Sequence, residues 1–261
     1  MKHDYKVLDI IPVIGLGTWE MNGRDCINSV VKALDSGYRH IDTAQIYGNE
    51  KEVGRAISES GLKREDIFLT TKIATVNLTS ARIKQSFSES LERLTTGYVD
   101  LLLIHWPTAA MNLEECLSTM FELKENGTVN NVGVSNFDPI LFIKSISLGP
   151  VITNQVKFTP YHDEFKNMKI AKEHNKIITA YSPLGRGGIA KDIFLERIGS
   201  KYGKTASQVS LRWLIQQGNV SVIPKANNEA HQKENLDIFD FELSDEDMSD
   251  IRQLSKKHAW Q

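Results

Sequence analysis

The chain has 261 residues, 41% hydrophobic and 25% charged, with 31 basic residues against 33 acidic and a net charge of −2. These values suit a globular protein whose core needs neither disulfide nor metal, and nothing in them suggests the basic stripe of a nucleic-acid binder. No run approaches the roughly 18 apolar residues of a membrane span. Cys26 and Cys116 lie in no CxxC or Cys/His ligand pattern and read as packed thiols. The opening MKHDYKVLDIIPVIGLG is broken by Asp9 and Pro12 before a signal-peptide core could form, so the expected compartment is the cytoplasm.

In chain order, an apolar run predicts a strand at 13–17, followed by a helical pattern at 25–36 that ends at Gly37. A strand at 38–42 precedes a helix at 49–60, and one at 67–72 precedes a helix at 79–94 with Thr79 as an expected cap. The strand at 99–104 leads to a helix at 112–126, closed by Gly127. Strands at 129–134, 151–156, 177–181 and 220–223 precede helices at 138–146, 163–174, 205–217 and 228–236. Gly218 ends the helix at 205–217, and Ser244 opens an extra C-terminal helix at 244–257.

Strict strand–helix alternation predicts a parallel sheet, because parallel neighbours need a long crossover. Eight such units without a glycine-rich GxGxxG turn after the first strand favour a closed α/β architecture. The expectation is a single (β/α)8 TIM barrel over 1–261 with an extra C-terminal helix. Gly203-Lys204-Thr205 ends like a phosphate-binding loop, but Gly199 is one residue too near and no strand precedes it. Thr205-Ala-Ser-Gln208 reads as a capping box instead.

A barrel of this kind gathers its site at the C-terminal strand ends. There the sequence places Asp42, with Tyr47 in the next loop, then Lys72, His105-Trp106, Ser135-Asn136, Gln155, Tyr181-Ser182 and Lys225. Each has a plain structural reading alone: Asp42 as a helix cap, Lys72 as a solvated charge, His105 as a core histidine. Together, Asp42, Tyr47, Lys72 and His105 suit carbonyl reduction. Hydride delivery leaves negative charge on oxygen, which a tyrosine hydroxyl can protonate. A nearby ammonium is expected to lower that tyrosine's pKa, an aspartate to hold the ammonium, and a histidine to orient the carbonyl.

The segments GLGTWE (15–20), HIDTAQIYGNE (40–50), LTTK (69–72), DLLLIHWP (100–107), GVSNF (133–137), NQV (154–156), AYSPLGRG (180–187) and IPKA (223–226) resemble the aldo-keto reductase family almost end to end. The likeness is greatest to its small bacterial members of the 2,5-diketo-D-gluconic acid reductase kind. The resemblance implies a catalytic tetrad of Asp42, Tyr47, Lys72 and His105, with Tyr47 as general acid and no metal. It implies a nicotinamide stacked on Tyr181, with its carboxamide bonded by Ser135, Asn136 and Gln155. It sets Ser182, Leu184 and Arg186 over the pyrophosphate, Lys225 and His231 by the 2′-phosphate, and Glu234 and Asn235 at the adenine. Trp19 and Trp106, with Tyr47 and His105, would line the substrate pocket.

Departures from the family pattern bear on the cofactor. Ala226 stands where relatives carry serine or threonine, and His231 where they carry arginine. Arginine offers phosphate a permanently charged fork, whereas histidine as a residue type is largely uncharged near pH 7. The expected cofactor is NADPH, with NADH also used. Ala74 in place of a tryptophan, and a short loop after Trp106, predict a broad, open pocket for small carbonyl compounds. Lys157 and Thr159 also depart from the pattern, without a functional account. The competing readings are a nicotinamide-binding regulatory module with little turnover, and a different barrel enzyme such as a phosphate-sugar lyase. A monomer is expected, without nucleic-acid or membrane partners.

Overall fold

A computed structural model describes residues 5–255. It opens with an antiparallel hairpin, β1 (Lys6–Val7) and β2 (Ile11–Pro12), which the sequence reading did not foresee. The hairpin closes the floor of the molecule: Val7 and Ile11 pack with Leu101, Leu103 and Ile177 in a cluster of their own. Two-residue strands carry too little periodicity to be read from a sequence.

Eight parallel strands follow, paired in chain order: β3 (Leu16–Gly17), β4 (His40–Asp42), β5 (Phe68–Ile73), β6 (Val99–Ile104), β7 (Val129–Ser135), β8 (Val151–Lys157), β9 (Ile177–Tyr181) and β10 (Val220–Ile223). The first strand is shorter than the expected 13–17, yet those residues do structural work. The Gly15 amide donates to the Val222 carbonyl at 2.9 Å, the Val222 amide to Val13 at 2.9 Å, and the Gly17 amide to Pro224 at 3.1 Å. These bonds join the two sheet edges and close the barrel. Glycines permit the close approach: a Cβ on Gly17 would stand 2.8 Å from the Ile223 carbonyl oxygen, and one on Gly15 would stand 2.6 Å from the His40 ring.

Ten helices occur among the described residues: α1 (Gly23–Asp35), α2 (Glu50–Glu59), α3 (Ser80–Leu94), α4 (Leu113–Glu125), α5 (Pro139–Leu148), α6 (Phe165–Glu173), α7 (Ile193–Ser200), α8 (Ala206–Gln216), α9 (Glu229–Leu236) and α10 (Asp245–Arg252). Eight occupy the expected places, and the C-terminal helix is shorter than 244–257, whose last two positions lie outside the described residues. Helix α7 was not expected. It has only eight residues, opened by the Asp192 carboxylate accepting from the Leu195 amide at 2.8 Å. The capping box at Thr205 and Gln208 forms as read, and Ser244 accepts from the Asp247 amide. Thr79 sits at the cap position of α3 but makes no side-chain cap bond; the Glu115 carboxylate takes the Ser80 amide instead, at 3.0 Å. A tertiary partner satisfies one of the first-turn amides that the helix leaves free.

Both cysteines are buried and free, and burial pushes the Cys26 thiol up to about 12 and the Cys116 thiol to about 11. Among the described residues no helix is long and apolar enough to cross a membrane.

Candidate active site

The strand register determines which side chains meet. β4 pairs with β5 so that Asp42 lies opposite Thr70, and Lys72 stands two residues on, over the same end of the barrel. Lys72 is fully buried, and its ammonium donates to three oxygens: Asp42 Oδ1 at 2.5 Å, the Thr43 carbonyl at 2.8 Å and the Tyr47 hydroxyl at 3.3 Å. Tyr47 ends a short 3-10 turn, Gln45–Tyr47, and Gly48 leaves that turn in the left-handed region. His105 follows β6 directly, its ring meeting the Tyr47 ring edge-on at 5.6 Å. All four expected residues therefore converge.

Burial alone would favour loss of the Lys72 proton, but Asp42 and Tyr47 outweigh it and hold the ammonium. Burial raises the Asp42 carboxyl, against the pull of Lys72 and of the Gln155 amide, which donates to Oδ2 at 2.7 Å. Tyr47 corrects the expectation of a lowered pKa. Burial outweighs the Lys72 charge and Asp42 adds to the rise, so the hydroxyl keeps its proton. His105 is driven down to about 3 by burial and then by Lys72, leaving a neutral ring. Its Nδ1 is buried without a partner, so a proton there would be a stranded donor. The Nε2–H tautomer avoids that cost.

Buried His40 is likewise depressed to about 3, by burial and then Lys72; its Nε2 pairs with Thr70 Oγ1 at 3.0 Å. The folded values lie below the ordinary 6.5, so the unfolded chain binds these protons first as pH falls. Stability is present above about pH 6.5 and is lost toward pH 3. Each histidine is expected to cost roughly 2 kcal/mol between about pH 7 and pH 5. Urea unfolding across that range would measure the slope, and His40→Gln should remove about half of it. An unchanged slope would show that His40 is not a sensor.

The site opens into a cavity of about 240 Å3 whose lining includes Trp19, Ile46, Tyr47, His105, Trp106 and Gln155. Ser135, Asn136, Tyr181, Ser182, Arg186 and Lys225 form its other side. The Ser135 hydroxyl donates to the Gln155 carbonyl at 2.8 Å, and the Tyr181 hydroxyl donates to Asn136 Oδ1 at 2.9 Å. A second cavity of about 420 Å3 shares Trp19, Ser182, Arg186 and Lys225 with the first, and extends to Leu184, His231, Glu234 and Asn235. Every sequence-predicted site residue thus lines one cavity or the other, except Lys72, which is sealed beneath Tyr47. The Arg186 guanidinium stacks 4.5 Å from the Trp19 ring, a contact the sequence did not suggest. Ala74 is not itself a wall of the pocket. It is buried, with its amide held by Gln45 Oε1 at 2.8 Å, and is absent from the cavity lining.

Sequence reasoning also missed Asn49. It stands at the N-terminus of α2 but does not cap it. Its Oδ1 accepts from the Thr43 hydroxyl at 2.7 Å, and its amide donates to the Thr18 and Met21 carbonyls at 2.8 and 2.9 Å. It thereby ties the Trp19 turn to the residue that holds Lys72. The signal was the asparagine of YGNE, which looks like an ordinary cap from sequence.

A family model for the aldo/keto reductase family matches residues 13–256. The chain belongs to the aldo-keto reductases. It is 41% identical over 249 residues to the methylglyoxal reductase DkgB of Escherichia coli O157:H7, covering 94% of this chain and 93% of the relative. It is 39% identical over 253 residues to the 9,11-endoperoxide prostaglandin H2 reductase of Trypanosoma cruzi, covering 94% and 88%. A crystal structure provisionally assigned as a 2,5-diketo-D-gluconic acid reductase B aligns with a TM-score of 0.93 and 42% identity, over 97% of this chain and 92% of the other. The aldo-keto reductase described here is an oxidoreductase with the TIM-barrel fold of its family.

Proposed function

We propose that this aldo-keto reductase reduces small aldehydes, ketones and α-dicarbonyls to alcohols, with NADPH preferred, NADH accepted and Tyr47 as the general acid. The observation that carries the reading is the Tyr47 hydroxyl, protonated and open to the first cavity, 3.3 Å from a buried ammonium. The nicotinamide would supply a hydride to the carbonyl carbon. The carbonyl oxygen would sit between the Tyr47 hydroxyl and the neutral His105 ring, which orients it by hydrogen bonding. As charge develops on that oxygen, the Tyr47 proton transfers to it, and Lys72 stabilises the negative charge left on the phenol oxygen.

The two cavities, which share four lining residues, would together take a dinucleotide. Tyr181 and Ser135–Asn136 would hold the nicotinamide end, and Gln155, whose amide nitrogen serves Asp42, offers its oxygen there. Ser182, Leu184 and Arg186 would meet the diphosphate, and Lys225 and His231 the 2′-phosphate. At the far end Glu234 and Asn235 line the second cavity and would meet the adenine. Trp19 and Trp106 would wall the substrate. Buried thiols without a disulfide agree with a cytoplasmic protein, and we read it as a monomer.

The test follows NADPH and NADH oxidation in parallel against an aromatic aldehyde and a small α-dicarbonyl. NADPH is expected to lead in kcat/KM, but by less than with arginine at position 231, because losing a charge-assisted bond to phosphate removes about 1.5–3 kcal/mol, roughly 10- to 150-fold. A large NADH preference would overturn the cofactor order. Cofactor binding without turnover on any carbonyl would instead favour a regulatory module.

A further inference from the structure

The second cavity is not the basic groove that a cofactor with an extra phosphate would favour. Its charged lining comprises Arg186 and Lys225 on one side of the ledger, and Glu20 and Glu234 on the other. Arg186 is stacked on Trp19, and the Glu234 carboxylate accepts from the Thr205 hydroxyl at 2.6 Å. Lys225 is held twice by one residue. Its ammonium donates to the Glu20 carbonyl at 3.3 Å and stands 3.9 Å from the Glu20 carboxylate. Glu20 reaches this position with a left-handed backbone, φ +58°, at the end of the turn that Asn49 clamps.

We infer that Glu20 is the residue that sets the cofactor's phosphate preference. Its carboxylate stands beside the Lys225 ammonium, partly neutralises it, and repels the dianionic 2′-phosphate that would otherwise pair with it. This rests on reading the groove as a dinucleotide site. A cofactor without the extra phosphate escapes this competition, so Glu20 acts together with His231 to narrow the gap between NADPH and NADH. His231 is itself engaged by a neighbour: its ring nitrogen Nδ1 lies 3.2 Å from Asn228 Nδ2, at the start of α9. Both members of the Glu20–Lys225 pair are partly exposed, so the effect is moderate and salt-dependent.

Glu20→Gln removes the charge and keeps the shape. Binding of NADPH, NADH, adenosine 2′,5′-bisphosphate and adenosine 5′-monophosphate to the wild type and this variant, followed by titration calorimetry, reads the effect without turnover. The variant is expected to tighten NADPH and the bisphosphate by about three- to tenfold at low salt, with the gain shrinking as salt rises. NADH and the monophosphate should change by less than about twofold, since they lack the group that Glu20 repels. Equal gains for both cofactors would overturn the inference, placing Glu20 against the shared diphosphate. No change in a wild type that binds both cofactors would overturn it alone. Failure of the wild type to bind either cofactor would overturn the dinucleotide reading, and the inference with it.

Discussion

Tyr47→Phe is expected to lower kcat for carbonyl reduction by about a thousandfold while leaving the dissociation constant for NADPH within roughly twofold, general acid catalysis being worth about 10²–10⁴. The substitution removes one oxygen. The ring stays in its edge-on contact with His105 at 5.6 Å and over the Lys72 ammonium, 4.9 Å from the ring centroid. What disappears is the proton that burial keeps on the phenol. A thousandfold loss corresponds to about 4 kcal/mol of transition-state stabilisation. The neutral His105 cannot replace it, because a ring depressed to about 3 yields no proton readily at neutral pH. Steady-state rates beside cofactor titration would separate chemistry from binding. Activity within tenfold of the wild type would reassign the acid.

Asp42→Asn should destabilise the fold by about 3–5 kcal/mol at neutral pH, the usual cost of leaving one member of a buried ion pair without its partner. Lys72 and Asp42 are almost wholly withdrawn from solvent, and Asp42 is the one carboxylate that the Lys72 ammonium bonds among the described residues. The remaining acceptors, the Thr43 carbonyl and the Tyr47 hydroxyl, are neutral. The double variant Asp42→Asn/Lys72→Met removes the stranded charge and should recover at least half of the loss, since apolar replacement of a whole buried pair is often tolerated. It should remain catalytically inert. Urea unfolding of the three proteins decides the matter: equal stability of both variants would mean that the ammonium is not what makes Asp42 necessary. On the proposed mechanism the pair would serve catalysis at a standing risk to stability, as sites that hold a charge out of water do.

The barrel was legible because its evidence is local and repeated. Each strand is a short apolar run, most helices are amphipathic, and the order alternates from 38–42 to 177–181, with two helices before the last strand. The parts that escaped were too short to show a period, namely the floor hairpin and the eight-residue α7. Thr79 shows a different limit: the residue type was right for a cap, but a carboxylate from another helix reached the free amide.

For the site, the order of polar residues at the strand ends determined by itself that Asp42, Tyr47, Lys72 and His105 could share one rim, and the motifs marked the family. Their ionisation was decided only by tertiary structure. A nearby ammonium argues for a lowered tyrosine pKa, and only the depth of burial reverses that sign. Ala74 and Glu20 make the same point from opposite sides. Ala74 has its amide held by Gln45, a bond its residue type could not announce, whereas an unremarked acidic residue is brought against Lys225 from 205 positions away in the chain. Composition and spacing fix which groups are present near a strand end. Desolvation and distances between elements, which set their energies, exist only once the barrel has closed.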